Sequence, residues 1–478
     1  MKDMAESDGF SSSFLKVSLA AVFLAIFCIG IFLGARTDLS FYVFACISLA
    51  LICLIAFVRP LYGLLIIIVY DLVIPFLTDS IHVIFIGSAF IISIVCLSLL
   101  WRHQVVLFKD KRRFIVDCLF FLLVIMTCIH LIVGIARSHD LEFIFGDFYH
   151  LFFQIFMPFF AAVAIFDNRE KVNKFVDGFI YITFIGAVVI TALYFSGKIT
   201  GLEQADFVGV GADDSFLRLG FATGFPFFHL IFAGIFMIYV DSGRKRLVLY
   251  VTFILLAIIL ALTLKRTFWL ATIVSLGAAL LLSFLKDSMR FVKNGLLFFV
   301  ISLLILAAVG FSQSKNKNIF ESAEILKERL LSIDVDNPSL VQRTWEYEGV
   351  VKAISRNPAG SGLGTAVKTY STGQHKIVWK HFIHNSYLKF ALQLGILGCG
   401  VYIAIFLLFF RESMRSFFNL KDCQTRGMVL ALCAASSSFM ISALATATWN
   451  NIYFSIAIAI VFALRRFEEE SVSSVIQH

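Results

Sequence analysis

The sequence predicts an all-α polytopic membrane protein, and three observations carry that prediction. Hydrophobic residues make up 60% of the 478 and charged residues only 15%, with a mean hydropathy of +0.91, a balance that soluble globular chains do not show. The apolar residues come in unbroken runs of roughly 20, long enough to cross a hydrocarbon core as a helix. The alternating segments of about ten residues that mark a membrane barrel do not occur. Backbone groups in lipid must find partners within the chain, so these runs are read as helices.

About fourteen spans are expected at this length per crossing. They begin near Val17, Leu39, Leu61, Ile81, Phe114, Phe148, Phe175, Leu219, Leu247, Phe268, Gly295, Ser386, Met428 and Trp449. Asp71 and Pro75 interrupt the third, and Asp71 near mid-bilayer calls for a partner. Val17 to Ala35 is long enough to span and lacks a small-residue cleavage site, so no cleavable signal is expected. With the N-terminus inside, roughly 23 basic residues collect on inner connections against about 6 outside. The outer six are Arg36, Arg137, Lys198, Arg218, Lys265 and Arg266. The net charge of +8 is therefore read as the positive-inside bias and not as a nucleic-acid footprint. Both termini are expected in the cytoplasm, and the odd number of spans before Ser312 puts the following loop outside. An acidic connection carrying Glu203, Asp206, Asp213 and Asp214 shares that side.

The domain reading follows: helices over 1–311, an outer loop over 312–385, and helices with a short cytoplasmic tail over 386–478. A loop of about 70 residues is an exception to the short connections of compact domains and points to function. None of the nine cysteines falls in it and no CxxC occurs, so neither a disulfide framework nor a zinc knuckle is expected. Ile319 to Leu331 is amphipathic at helical spacing and suits the membrane surface. Asn337-Pro338 reads as a helix start, and Asn357-Pro358 as its stop. On that helix Leu340, Tyr347, Val350 and Ile354 form the apolar face, and Arg343 falls among them. A guanidinium there is costly unless an anion meets it, either a ligand or a glutamate of the loop. Gly360 to Thr365 offers either backbone N–H groups for phosphate oxygens or a plain flexible turn.

Arg266 sits in a tight outer connection, where it is either an interfacial anchor or a bidentate phosphate clamp; Arg218 admits the same two readings. His384 begins a span at the outer face with Tyr387 beside it. His381 at i−3 raises a metal site, but no carboxylate or cysteine completes a ligand set, so no metal is expected.

Taken together, Lys265-Arg266-Thr267-Phe268-Trp269, Arg343-Thr344-Trp345, Asn357-Pro358-Ala359-Gly360-Ser361-Gly362-Leu363-Gly364, His384-Asn385-Ser386-Tyr387-Leu388 and Gly395-Ile396-Leu397-Gly398 resemble the motifs of the O-antigen polymerase and ligase superfamily. The motif-bearing part covers roughly Leu262 to Gly400. The resemblance implies a class C membrane glycosyltransferase of the bacterial inner membrane, working on its periplasmic side. The donor it implies is an undecaprenyl-pyrophosphate-linked oligosaccharide. It further implies that Arg266 and Arg343 hold the pyrophosphate, that His384 acts at the acceptor, and that no metal or other cofactor is used. Arg218 and Tyr387 are expected to assist in substrate binding, and direct attack would invert the anomeric configuration. The span count leans toward a polymerase, with a ligase that passes glycan to lipid A-core as the alternative and a transporter as a distant third. Membrane lipids and a chain-length regulator are the expected partners, and nucleic acid is not.

Overall fold

The computed structural model describes residues 51–73, 81–102, 110, 113–195, 202–205, 216–219, 225–262, 266–295, 338–371, 376–381, 383–446 and 452–476. After helical residues 51–58 come α1 (Pro60–Val73), α2 (Ile81–Trp101), α3 (Phe114–Ala136) and α4 (Leu141–Leu151). A π-helical turn, Phe152–Phe156, leads into α5 (Met157–Ile165). Then follow α6 (Arg169–Phe195), an antiparallel hairpin of β1 (Leu202–Ala205) and β2 (Phe216–Leu219), α7 (Phe225–Tyr239), α8 (Gly243–Leu262) and α9 (Arg266–Arg290). The second half holds α10 (Pro338–Arg356), a second antiparallel hairpin of β3 (Val367–Ser371) and β4 (Lys376–Lys380), α11 (Ser386–Asn419), α12 (Cys423–Ser442) and α13 (Ile452–Ile476).

Among the described residues, six helices are long and apolar enough to cross a membrane. They are Phe114–Ala136, Leu141–Ile165, Arg169–Ala192, Thr267–Asn294, Ser386–Asn419 and Cys423–Ser442, and shorter apolar helices occupy Pro60–Tyr70, Gly87–Trp101 and Phe227–Tyr239. The expected spans from Val17 and Gly295, the amphipathic stretch Ile319 to Leu331 and the side chain of Asp71 lie outside the described residues. The chain is thus polytopic and mostly helical, with two short hairpins that the all-α reading omitted.

Two span starts shift for identifiable reasons. The span expected from Phe148 begins at Leu141, because Asp140 caps the helix by accepting from the Glu142 N–H at 2.9 Å. Glu142 and Asp147 broke the apolar run in the sequence and hid that start. The π-helical turn falls just before Pro158 in the first turn of α5, where a missing N–H and the bulk of the ring displace the ladder. The span expected from Leu219 instead starts at Phe225, after β2.

The described residues form two compact units. The first draws on Met1–Asp110, Phe153–Phe221 and Phe454–His478. In it α1 packs against α2 and α6, and α2 against α5. Arg466 donates to the carbonyls of Phe166 and Asp167, closing the end of α5. The second unit, Lys111–Phe152 and Ala222–Tyr453, carries the motifs. Its centre is α7, packed by α8, α9 and α12, while α11 lies between α3, α10 and α12.

Helix directions in the second unit place one end of the bundle. Asp287 near the C-terminus of α9 pairs with Arg426 in the first turn of α12 at 2.5 Å, so α9 and α12 are antiparallel. Phe227 of α7 meets both Phe268 of α9 and Phe439 of α12, with ring centroids 4.9 and 4.8 Å apart. The start of α11 is stitched to the same end of α12. Ser386 N–H donates to Ala443 O, the Asn385 side chain to Leu444 O and the Tyr387 hydroxyl to Met440 O, each within 2.9 to 3.0 Å. The N-termini of α7, α9 and α11 therefore share one end of the bundle.

Candidate functional site

Helix α10 starts at Pro338 and its ladder ends at Arg356, as Asn337-Pro338 and Asn357-Pro358 predict. Its inner face is fixed by a small core in which Val350, Val367, Ile383 and Leu392 are fully buried or nearly so. Ala353, Ile354 and Leu388 pack around it. This core joins α10, β3, the segment before α11 and α11 itself, and it sets the position of His384.

On the same face of α10, one turn before Val350, the carboxylate of Glu346 is fully buried. A buried carboxylate demands partners, and His384 and Lys380 supply them. The His384 backbone N–H donates to Oε1 at 2.5 Å, His384 Nδ1 lies 3.0 Å from Oε2, and Lys380 Nζ lies 3.9 Å from Oε2. The His384 side chain keeps 30% of its surface exposed. Sequence reasoning missed Glu346 altogether, although it sits on the stripe with Arg343, Tyr347 and Val350 at spacings of three and four.

Arg343 stands one turn before Glu346. Its Nε is buried and has no hydrogen-bond partner among the described residues. Glu346, the nearest glutamate on that face of α10, is engaged with His384 and Lys380. Burial pushes the Tyr347 hydroxyl up, against the opposing pull of the Arg343 charge, so the phenol is a protonated donor beside the guanidinium. Arg266 is the first residue of α9, on the bundle end that also carries the start of α11. A cation at a helix N-terminus opposes the macrodipole, so helix stability does not account for it. Trp269 of the same motif donates its indole N–H to Leu260 O at 2.9 Å and ties α9 to the last turn of α8.

The remaining expected residues separate. Arg218 belongs to the first unit, on β2 at the register position opposite Glu203. Tyr387 commits its hydroxyl proton to Met440 O, which leaves only its acceptor lone pairs for a substrate. His381 does not pair with His384. Its ring stacks on Phe143, centroids 3.7 Å apart, and its Nδ1 lies 3.0 Å from Gly364 O. The stack and the Gly364 contact give it a packing role. His381→Ala is expected to cost about 1 kcal/mol of stacking, read as a lower Tm in detergent. Burial lowers the His381 imidazole below the ordinary 6.5, against the raising contacts of Gly364 and Asp147. The unfolded chain then takes up the proton first, so this contribution fades as pH falls below 6.5.

The glycine-rich segment is neither a phosphate cradle nor a flexible turn. From residue 360 to 364 every N–H donates within the protein: to Asn357 O, Leu392 O, Gln393 O, His130 O and the carboxylate of Asp147. Every carbonyl accepts as well, from Asn357, Arg137, Thr365, His139 and His381 side chains. No N–H from residue 360 to 364 is left for a ligand. Its glycines serve close approach, since a Cβ on Gly362 (φ 94°) would meet Gly134 N at 2.7 Å. The partner carbonyls of Leu392 and Gln393 are released where α11 breaks at Gly395 (φ 78°, ψ 172°). Ile396 N–H in turn donates to Pro358 O. Irregular backbone inside a spanning helix is tolerated where protein covers it, and this loop is the cover. Beneath it Asp147 (9% exposed) also holds Lys389 at 2.7 Å and the Gln393 amide.

These features define a class, a polytopic helical membrane protein with a polar, histidine-bearing cluster set over one end of a helix bundle. Residues 251–403 match the family model described as O-antigen ligase. The matched segment runs from α8 to the middle of α11, so the likeness to that family extends over part of the chain. A comparison with curated proteins returns no match.

Proposed function

We propose that the protein is a polymerase of a bacterial surface polysaccharide, O-antigen or a related glycan. In this reading it moves the growing glycan from its lipid-pyrophosphate carrier onto a new lipid-linked repeat unit. The observation that carries the glycosyl-transfer reading is that His384 is paired with Glu346, one turn of α10 from Arg343, whose buried Nε lacks a hydrogen-bond partner among the described residues. His384 takes the proton from an acceptor hydroxyl, whose oxygen forms the new bond to the anomeric carbon. The bond from that carbon to pyrophosphate oxygen breaks, the configuration inverts, and the lipid pyrophosphate leaves as an anion. Arg343 and Arg266 neutralise its charge in a water-poor site, which suits it better than a general acid would. The match to the family described as O-antigen ligase favours the ligase as second reading, and the expected number of spans favours the polymerase.

Deleting the gene and resolving surface polysaccharide on a gel separates the two. A single-repeat band supports the polymerase, accumulated lipid-linked polymer supports the ligase, and an unchanged ladder removes both. The basic-residue asymmetry supports a site on the periplasmic face of the inner membrane. Cysteines introduced at Ser314 and Ser371 are therefore expected to react with a membrane-impermeant thiol reagent in intact spheroplasts; labelling only after lysis would reverse the orientation. Arg343→Ala is expected to abolish polymer at near-normal protein levels, a loss of about 2–5 kcal/mol for a desolvated charge pair. Lys recovers only part, since it lacks the planar fork. Full activity in Arg343→Ala removes the clamp.

A further inference from the structure

We infer that Glu346 is a positioning residue for His384, holding the Nδ1–H tautomer so that Nε2 is the nitrogen that takes the acceptor's proton. The inference rests on the reading of His384 as base. Two contacts of one carboxylate fix the histidine from both sides of its Cα. Oε1 accepts from the backbone N–H at 2.5 Å and Oε2 faces Nδ1 at 3.0 Å. An ionised carboxylate only accepts, so the Nδ1 that faces it carries hydrogen. In a neutral ring the lone pair is then on Nε2. The imidazole side chain is 30% exposed while the carboxylate is fully buried, so the ring presents its outer edge away from α10.

The same arrangement serves the step itself. When Nε2 takes the proton the ring becomes a cation, and the carboxylate at 3.0 Å stabilises it. Lys380, at 3.9 Å from the same oxygen, offsets the carboxylate's charge before transfer. Lys380 from β4 faces the pair, and Tyr347 of α10, whose hydroxyl both the Glu346 and the Arg343 charge act on, stands beside it. A buried carboxylate that merely stitched the backbone would need one acceptor oxygen; here the second is spent on the imidazole.

Glu346→Gln separates the two roles. The glutamine carbonyl can still accept from the His384 N–H, so the backbone contact survives. Its amide NH2 donates, however, and favours the ring with a bare Nδ1 and hydrogen on Nε2, which cannot act as base from that edge. In purified protein supplied with a lipid-pyrophosphate-linked oligosaccharide, kcat is expected to fall about 10²–10⁴-fold, the usual worth of a general base, with KM for the donor near unchanged. Wild-type turnover in Glu346→Gln overturns the inference. If His384→Ala is inactive at the same time, the base reading survives; if His384→Ala is fully active too, that reading falls with it. A variant-free measurement guards against misfolding. Nitrogen-15 spectra of the wild-type protein, with His384 assigned by its loss in His384→Ala, are expected to show hydrogen on Nδ1 at a pH where the ring is neutral. Hydrogen on Nε2 instead overturns the inference outright.

Discussion

His384→Ala is expected to lower glycosyl transfer by about 10²–10⁴-fold, the usual cost of losing a positioned general base. The protein should remain folded, because the side chain is partly exposed and its Ile383 neighbour, fully buried, carries the packing. The variant does free the Glu346 Oε2 contact, but Oε1 keeps the backbone N–H and Lys380 remains within 3.9 Å. His384→Gln is the sharper comparison. An amide can hydrogen-bond an acceptor hydroxyl but cannot take its proton, so His384→Gln is expected to be no better than Ala. Substantial turnover in Gln would turn the histidine into a hydrogen-bonding residue, and wild-type turnover in Ala would remove it from the chemistry.

The second large effect is on stability. Asp147→Ala leaves the Lys389 ammonium, 8% exposed, without the carboxylate at 2.7 Å. Removing one partner of a buried ion pair costs about 3–5 kcal/mol. The Gly364 N–H loses its acceptor as well, worth about 1–3 kcal/mol if nothing replaces it. The protein is expected to unfold at markedly lower temperature in detergent and to lose the seating of the 360–364 segment on α11. Asp147→Ala combined with Lys389→Met should recover part of the loss, because the orphaned charge is gone. An unchanged melting temperature in the single variant would show that this pair holds nothing.

Both sites depend on residues that no local pattern announces. Glu346 and His384 are 38 residues apart, and Asp147 and Gln393 are 246 apart. Periodicity showed the stripe on α10 and marked Arg343 as costly, but it could not say which polar group would turn inward to meet His384. The glycines of the 360–364 segment were visible, and two readings of them were both reasonable from the sequence. Only the break of α11 at Gly395, which exposes carbonyls that the segment's N–H groups satisfy, decides against each. Arg266 shows the intermediate case: its motif was legible, while its place at the end shared with the start of α11 follows from helix directions set by Asp287–Arg426 and the Phe227, Phe268 and Phe439 rings.

Composition and run length by themselves determined that the chain is helical and polytopic, because burial in lipid depends on hydrophobicity summed along a segment. Proline and asparagine likewise set the limits of α10, since both act through the local backbone. What only the tertiary structure decided is how buried polar groups are paired, the role of the glycine segment and the two added hairpins. A buried charge or an open backbone group is satisfied by whatever partner packing brings near, and that partner's distance along the chain is no guide to it.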